Sequence, residues 1–219
     1  AGINAATHGG IAIDNRTRHE IETTHRAGIL EADVVRMLID TGVADRVIRD
    51  GFGHEGIELR FAGRGHRIDF RRLVGESVWL YPQQEVFIDL ADARARDGGD
   101  VRFGVTDVAV TDHTIAPVVR FTDSDGVTHE VRCAVVVGAD GSHSYCRNLV
   151  PASERRQFTR TYPFAWLGIL AEAPMSAPEL IYANSPRGFA LISQRTPSVQ
   201  RMYLQCAPDE DLAKWPDDR

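Results

Sequence analysis

Apolar and polar residues alternate with a period of two in the last third of the chain, a pattern typical of β-strands with one buried face. Phe189, Leu191, Ser193 and Arg195 alternate with the residues between them, so their side chains are expected on one face of a strand. The same pattern predicts a small antiparallel sheet whose strands cover residues 164–172, 180–183, 189–195 and 201–205. This sheet is the first candidate for a binding surface.

The rest of the chain mixes helical and strand patterns and predicts an α/β (mixed α+β) fold. Apolar residues recur at helical spacing from Leu30 to Ile39, and Gly42 ends that helix. A second helix is predicted over 82–95, and residues 15–26 are expected to form a polar loop. Further strands are predicted at 11–14, 57–61, 67–70, 78–81, 101–105, 108–111, 118–122, 129–133 and 134–138. Core positions are expected for the large apolar side chains Trp166, Met175, Met202 and Trp215.

The last two strands form a hairpin that turns at Thr196-Pro197-Ser198. If the hairpin is symmetric about Ser198, Ser193 lies opposite Tyr203, and Arg195 lies opposite Arg201. Two like charges opposed across a ladder destabilise it, so an anion bound between them would remove the conflict. The alternative is an ordinary exposed hairpin with two solvated arginines.

The segment AVVVGADGSHSYCR, residues 134–147, has the pattern of a buried strand followed by a tight turn. A turn of this kind lets a ligand approach the backbone at Gly141, and Asp140 is placed to accept hydrogen bonds from ribose-type hydroxyls. The alternative is a structural turn without a ligand. The pair of Ser144 and Arg147 at set spacing favours the nucleotide-binding interpretation.

Composition limits the classes of function. The 219-residue chain is 43% hydrophobic, which is enough for a sizeable core, and it carries a net charge of −6. No basic run offers a surface for nucleic acid, and no apolar run is long enough to cross a membrane, so we expect a cytoplasmic protein. Three scattered cysteines, Cys133, Cys146 and Cys206, predict neither a disulfide framework nor a metal site.

The spacing of Asp140, Gly141, Ser144 and Arg147 resembles the second nucleotide motif of the single-component flavoprotein aromatic hydroxylases. The segments YPFAWLGILAEAP and ELIYANSPRGFALISQR are similar to members of that family that act on 4-hydroxybenzoate. The resemblance runs from about residue 11 to residue 219. It implies an incomplete Rossmann-like FAD-binding domain over 1–160, with a β-meander insertion, and an antiparallel substrate-binding sheet over 161–219.

The resemblance also implies roles for residues on the substrate side. Tyr182 is expected to contact the substrate phenol and help to deprotonate it. Ser193, Arg195 and Tyr203 are expected to bind the substrate carboxylate. His54 is expected at the end of a proton relay to solvent, which suits an imidazole that titrates near neutral pH.

The cofactors implied by the resemblance are FAD and, as co-substrate, NADH or NADPH. Glu20 and Glu22 would repel a 2′-phosphate, which favours NADH. Contacts with FAD are expected from the polar and glycine positions Asp14, Arg26, Gln83, Asp140, Gly141 and Arg201. The expected partners are a small aromatic acid and O2, and the protein is expected to form a homodimer.

The chain also departs from the family pattern. Residues 1–10 contain no G-x-G-x-x-G turn, and the sequence stops at residue 219 without the third flavin motif of the family, so the resemblance implies a fragment that lacks both ends. Two alternatives stay open: another flavin-dependent aromatic hydroxylase acting on a related phenolic acid, and a non-catalytic nucleotide-binding α/β module.

Overall fold

The computed structural model describes residues 9–211, 213 and 215. The described residues form two compact units. The first unit contains residues 9–26 and 83–158, and the second contains residues 27–82 and the described residues from 159 onward. The chain therefore leaves the first unit after residue 26 and returns to it at residue 83. A single boundary near residue 160 does not describe this arrangement.

The first unit combines a short parallel strand pair, two helices and a three-stranded meander. Its elements are β1 (Ile11–Asp14), α1 (Arg18–Thr23), α5 (Gln83–Arg96), β7 (Asp100–Phe103), β8 (Thr106–Thr111), β9 (Val118–Thr122), β10 (Thr128–Arg132) and a 3-10 turn (Cys146–Leu149). β1 pairs with β7 in parallel, and β8, β9 and β10 pair in antiparallel order. Its core forms where α1 packs against α5, around Ile21, Phe87 and Ala91.

Two expectations for this unit were wrong. Residues 134–138 form no strand, and Val135 and Val137 are 73% and 80% exposed, because no described strand pairs with this segment. The expected polar loop contains α1, whose first turn is fixed by a capping box in which Thr17 and Glu20 exchange hydrogen bonds.

The second unit contains two sheets and three short helices. Its elements are β2 (Ile29–Leu30), α2 (Ala32–Asp40), α3 (Asp45–Asp50), β3 (Phe52–His54), β4 (Gly56–Phe61), β5 (Arg64–Asp69), α4 (Phe70–Val74), β6 (Val78–Leu80), β11 (Ala165–Glu172), β12 (Leu180–Ser185), β13 (Gly188–Thr196) and β14 (Val199–Cys206). The larger sheet has the strand order β11-β14-β13-β12-β4-β5. The predicted four-stranded sheet is confirmed in its strands, and it is extended by β4, which pairs with β12 in parallel.

The hairpin register differs from the symmetric expectation. Leu191 pairs with Tyr203, and Ser193 pairs with Arg201, because the register shifts between Gln194 and Thr196. The predicted opposition of Arg195 and Arg201 is therefore wrong. A bulge adds one residue to β13 at this point, as bulges in antiparallel pairs do.

The expected core position of Trp166 was wrong. Trp166 is 47% exposed, on the more open face of β11, and Met175 is also exposed. Among the described helices, none combines the length and the apolar character that a membrane crossing requires.

Candidate functional site

Three side chains lie in one row across the larger sheet. Tyr182 of β12 pairs with Leu191 of β13, and Leu191 pairs with Tyr203 of β14. Paired residues project to the same face, and two inter-strand steps separate the two tyrosine backbones by roughly 10 Å. A flat ring lying over Leu191 would thus have one phenol at each end.

The neighbouring row on the same face holds Ser193, Arg201 and Leu170. The Ser193 hydroxyl is buried and donates a hydrogen bond to the Arg201 carbonyl oxygen at 3.4 Å. This bond is long for an O–H donor, so the hydroxyl can turn to a stronger acceptor at small cost. Ser193 can therefore donate to a carboxylate only by giving up the Arg201 carbonyl.

The position of Tyr203 depends on two neighbours. The Arg201 guanidinium lies over the Tyr203 ring at 4.6 Å from its centroid. On the other side, a Cβ at Gly168 would lie 3.4 Å from the ring, so Gly168 gives Tyr203 the room to lean over β11. Glycine within a strand often marks such a close approach.

Aromatic rings surround the Tyr182 end of the row. The Phe189 ring lies 5.9 Å from the Tyr182 ring, and Trp166 meets Phe189 edge-on at 5.4 Å. These rings give that end of the face an apolar surface suited to a planar ligand. Arg195 lies at the bulge of β13, where the register shifts between Gln194 and Thr196.

His54 ends β3 and is buried, with 4% of its surface exposed. Burial lowers the pKa of His54, and the nearby Glu179 carboxylate acts in the opposite direction. Its neighbours Gly53 and Glu55 line an open cleft of about 470 Å³ together with Glu179. His54 is thus neutral at neutral pH and lies next to a solvent-filled cleft.

In the first unit, Asp14 lies at the carboxyl end of the parallel pair β1 and β7, as predicted. Ligands of open α/β sheets bind outside this end of the strands. The Asp14 carboxylate accepts hydrogen bonds from Arg16, through the backbone N–H at 2.9 Å and through the guanidinium at 3.2 Å. A carboxylate has about four acceptor positions, so a ribose hydroxyl can bind if the Arg16 side chain moves.

The Asp140 carboxylate contacts the chain itself. One oxygen accepts a hydrogen bond from the Ser144 hydroxyl, and the other accepts from the Cys146 backbone N–H at 2.9 Å. These hydrogen bonds lower the pKa of Asp140 to about 2, and the bond from Ser144 has the larger effect. In this structure Asp140 therefore fixes the turn.

Gly141 has φ +77°, which favours glycine, and a Cβ there would meet open space. The backbone of the turn is thus accessible to a ligand. Gln83 is exposed at the first residue of α5, where unpaired N–H groups attract anions, and Arg26 is exposed in the same unit. These positions lie in the same unit as Asp14.

We expect Ser144→Ala to lower the free energy of unfolding by about 1 kcal/mol at neutral pH, because the buried hydroxyl also accepts from the Arg147 N–H. The pKa of Asp140 is lower in the folded state than in the unfolded chain. The ionised carboxylate therefore stabilises the fold at pH values above the carboxyl pKa of the unfolded chain, and this stabilisation is lost as pH falls through about 2. The difference in unfolding free energy between Ser144→Ala and the unsubstituted protein, measured by urea unfolding, should therefore become smaller in acid. Ser142→Ala, at an exposed position in the same turn, is the control, and an equal loss in both variants would contradict the assignment.

Sequence reasoning missed three contributors. Leu191 was assigned to the face but not to the row between the tyrosines. Gly168 was not singled out, although a glycine between Leu167 and Ile169 signals close contact. The ion pair of Arg67 in β5 and Glu179 before β12 joins residues that are distant in sequence, so it has no local signal.

The chain is similar to known proteins in sequence and in fold. The family model described as FAD binding domain matches residues 10–219. A curated relative, p-hydroxybenzoate hydroxylase from Acinetobacter baylyi, is 37% identical over 210 residues, which cover 95% of this chain and 52% of the relative. The chain thus spans about half the length of this relative.

Solved structures share the fold at low identity. PqsL of Pseudomonas aeruginosa, in complex with 2-aminobenzoylacetate, has a TM-score of 0.76 and 22% identity, over 91% of this chain and 55% of that chain. p-Nitrophenol 4-monooxygenase PnpA of Pseudomonas putida has a TM-score of 0.77 and 14% identity, over 93% and 53%. The flavin-dependent monooxygenase PieE, in complex with FAD and substrate, has a TM-score of 0.69 and 21% identity, over 91% and 39%.

Proposed function

Since this chain belongs to the FAD binding domain family, we propose that it is part of an FAD-dependent aromatic hydroxylase whose substrate is 4-hydroxybenzoate. The observation that carries the proposal is the row of Tyr182, Leu191 and Tyr203 across one sheet face. The reaction consumes 4-hydroxybenzoate, O2, NAD(P)H and a proton, and it yields 3,4-dihydroxybenzoate, NAD(P)+ and water. NADH is the expected donor, and a homodimer is the expected assembly.

Tyr182 is proposed to bind the substrate phenol oxygen. A hydrogen bond from the Tyr182 hydroxyl stabilises the phenolate, which makes the ring carbon next to the phenol more electron-rich. Leu191 and Phe189 present apolar surface to the ring, and this surface excludes water from the reacting carbon.

The opposite end of the row is proposed to bind the substrate carboxylate. Tyr203 supplies a phenol donor, Ser193 can turn its hydroxyl, and Arg195 lies at the bulge beyond Ser193. A guanidinium provides a planar fork that matches a carboxylate. Because two inter-strand steps separate Tyr182 from Tyr203, one aromatic acid can contact both ends.

FAD, when bound, supplies the redox chemistry that NAD(P)H and O2 require. Asp14 is proposed to accept hydrogen bonds from its ribose, while Gly141 leaves the turn backbone open to its phosphates. Arg26 and Gln83 are proposed to contact the phosphates, and Arg201 is proposed to face the flavin ring. For Asp140 the arrangement supports an indirect role, in which its carboxylate holds the turn.

We expect Asp14→Ala to weaken FAD binding by about tenfold to 150-fold, since hydrogen bonds to a charged group contribute about 1.5–3 kcal/mol. Flavin fluorescence quenching on the purified protein measures this loss. Asp97→Ala removes an exposed carboxylate of the same unit and is the matched control. Equal affinity in Asp14→Ala and the unsubstituted protein would exclude the ribose contact.

The proposed substrate is tested by product identification. The full-length protein, loaded with FAD and supplied with NADH or NADPH, is incubated with 4-hydroxybenzoate and with related phenolic acids. We expect 3,4-dihydroxybenzoate as the product and 4-hydroxybenzoate as the preferred substrate by kcat/KM. Preference for another phenolic acid would overturn the substrate assignment.

A further inference from the structure

An ion pair in the second unit joins β5 of the larger sheet to Glu179, the residue that precedes β12. Arg67 of β5 donates to both oxygens of Glu179, from Nε at 2.7 Å and from Nη2 at 2.8 Å. Its third nitrogen donates to Asp69 at 2.8 Å. The Glu179 side chain is only 15% exposed, so its charge is screened less than that of a surface carboxylate. The Arg67 hydrogen bond lowers the pKa of Glu179, which is therefore ionised at neutral pH.

The Arg67 guanidinium reaches Glu179 by lying over Gly56. A Cβ at Gly56 would lie 3.1 and 3.2 Å from the Nη2 and Cζ atoms of Arg67. Gly56 begins β4, which pairs in parallel with β12 just after Glu179. The glycine two residues after His54 thus provides the space that lets the guanidinium pass across β4.

His54 ends β3 of the smaller sheet, two residues before β4 begins at Gly56. It is buried, and its neighbours Gly53 and Glu55 line the same cleft as Arg67 and Glu179. Among the described residues, Glu179 is the charged group whose field acts on the imidazole. Glu55 pairs instead with Arg71 at 3.5 Å.

Two further carboxylates act on Glu179. Asp69 raises its pKa by charge repulsion, and Glu58, which pairs with Arg60 at 2.8 Å, repels it as well. Arg67 offsets both effects through its hydrogen bonds. The charge that Glu179 presents to His54 is therefore controlled mainly by Arg67.

We propose that Glu179 and Arg67 are positioning residues for His54: Glu179 supplies the carboxylate in the cleft beside the buried imidazole, and Arg67 partly neutralises that carboxylate. The use of His54 as a proton carrier rests on the proposed function. The coupling of the three side chains does not, because it needs neither flavin nor substrate.

Opposite effects are expected from the two partners. Glu179→Gln removes the negative charge near the imidazole, so His54 should lose its proton at lower pH. Arg67→Met leaves Glu179 without its neutralising partner, so His54 should keep its proton to higher pH. We expect each shift to be about 0.5 pH unit or more, since a close charge shifts a pKa by about 1–3 units and partial exposure reduces this.

A merely structural role predicts a different result for Glu179→Gln. Loosening the sheet edge would expose His54 to water, which removes the desolvation that depresses its titration and shifts the midpoint upward. A downward shift in Glu179→Gln therefore separates electrostatic coupling from loss of packing. The double variant Glu179→Gln/Arg67→Met should titrate like Glu179→Gln alone, because the carboxylate whose charge acts on the imidazole is absent from both variants.

The experiment is a long-range proton–nitrogen NMR titration of the histidine rings in the protein between about pH 5 and pH 8. His54→Gln identifies the His54 signals. Glu58→Gln is the matched control, since Glu58 lines the same cleft and should leave the His54 midpoint unchanged. Unchanged or upward midpoints in Glu179→Gln would overturn the proposal, and so would a downward shift in Arg67→Met. Failure of the hydroxylase assignment would leave these titrations unaffected.

Discussion

Tyr182→Phe is expected to lower the rate of substrate hydroxylation in the full-length protein by about 100-fold or more. Positioned proton transfer contributes about 10²- to 10⁴-fold to such reactions, and the substitution removes the hydroxyl but keeps the ring beside Phe189. Substrate affinity should fall by about tenfold at most, the equivalent of one ordinary hydrogen bond. Stopped-flow measurement of product formation, together with calorimetric binding, separates the two effects.

Tyr162→Phe is the matched control for this substitution. Tyr162 is exposed and lies before β11, with its ring tilted against Phe164 at 5.4 Å between centroids. The rate of hydroxylation should be unchanged in this variant. An undiminished rate in Tyr182→Phe would remove Tyr182 from the proposed chemistry.

Arg195→Ala is expected to weaken binding of the aromatic acid by about 2–5 kcal/mol, or about 30-fold to several thousandfold. The cost arises because the substrate carboxylate would be left desolvated without its cationic partner. Calorimetric titration of the FAD-loaded protein with 4-hydroxybenzoate measures the loss directly.

Arg187→Ala is the control for charge. Arg187 lies in the turn between β12 and β13 and is exposed, so its removal changes the net charge equally without touching the row of tyrosines. Binding should be unchanged in this variant. Similar losses in both variants would point to a general effect of charge and against a carboxylate contact at Arg195.

The strands of the larger sheet were largely predictable, and the clearest alternation of burial is in β11, where one face is more buried than the other. β11 shows this alternation along its whole length, from Ala165 to Glu172. The hairpin register was not predictable. The Gln194 side-chain amide donates to the carbonyls of Thr196 and Val199 and so holds the bulge, and no period in the sequence encodes such a contact.

Two failures in the first unit have distinct physical causes. The apolar run at 134–138 predicted a buried strand, yet a strand also needs a partner, and none of the described strands pairs with this segment, so most of it is exposed. The helix α1 has one buried residue, Ile21, so hydrophobic periodicity could not reveal it. Its capping box, Thr17 with Glu20, was the available signal.

The candidate site was predictable where the side chains follow from strand faces. Tyr182, Ser193 and Tyr203 lie on one face of the sheet. For Ser193 and Tyr203, the alternation of side chains along the strands predicted this shared face. The expected ribose contact of Asp140 rested on motif position, and the structure places its carboxylate against Ser144 and Cys146. The surroundings of His54 depend on Arg67 and Glu179, which are 112 residues apart in sequence.

The central claim is that one end of this sheet face binds the carboxylate of a flat aromatic acid. Calorimetric affinities for 4-hydroxybenzoate and for 4-hydroxybenzamide, which lacks the carboxylate, test it most directly in the FAD-loaded full-length protein and its Arg195→Ala variant. We predict that the unsubstituted protein binds the acid at least about 30-fold more tightly than the amide, and that Arg195→Ala abolishes this preference. Equal affinity for both ligands in the unsubstituted protein, or a preference that survives in the variant, would contradict the account.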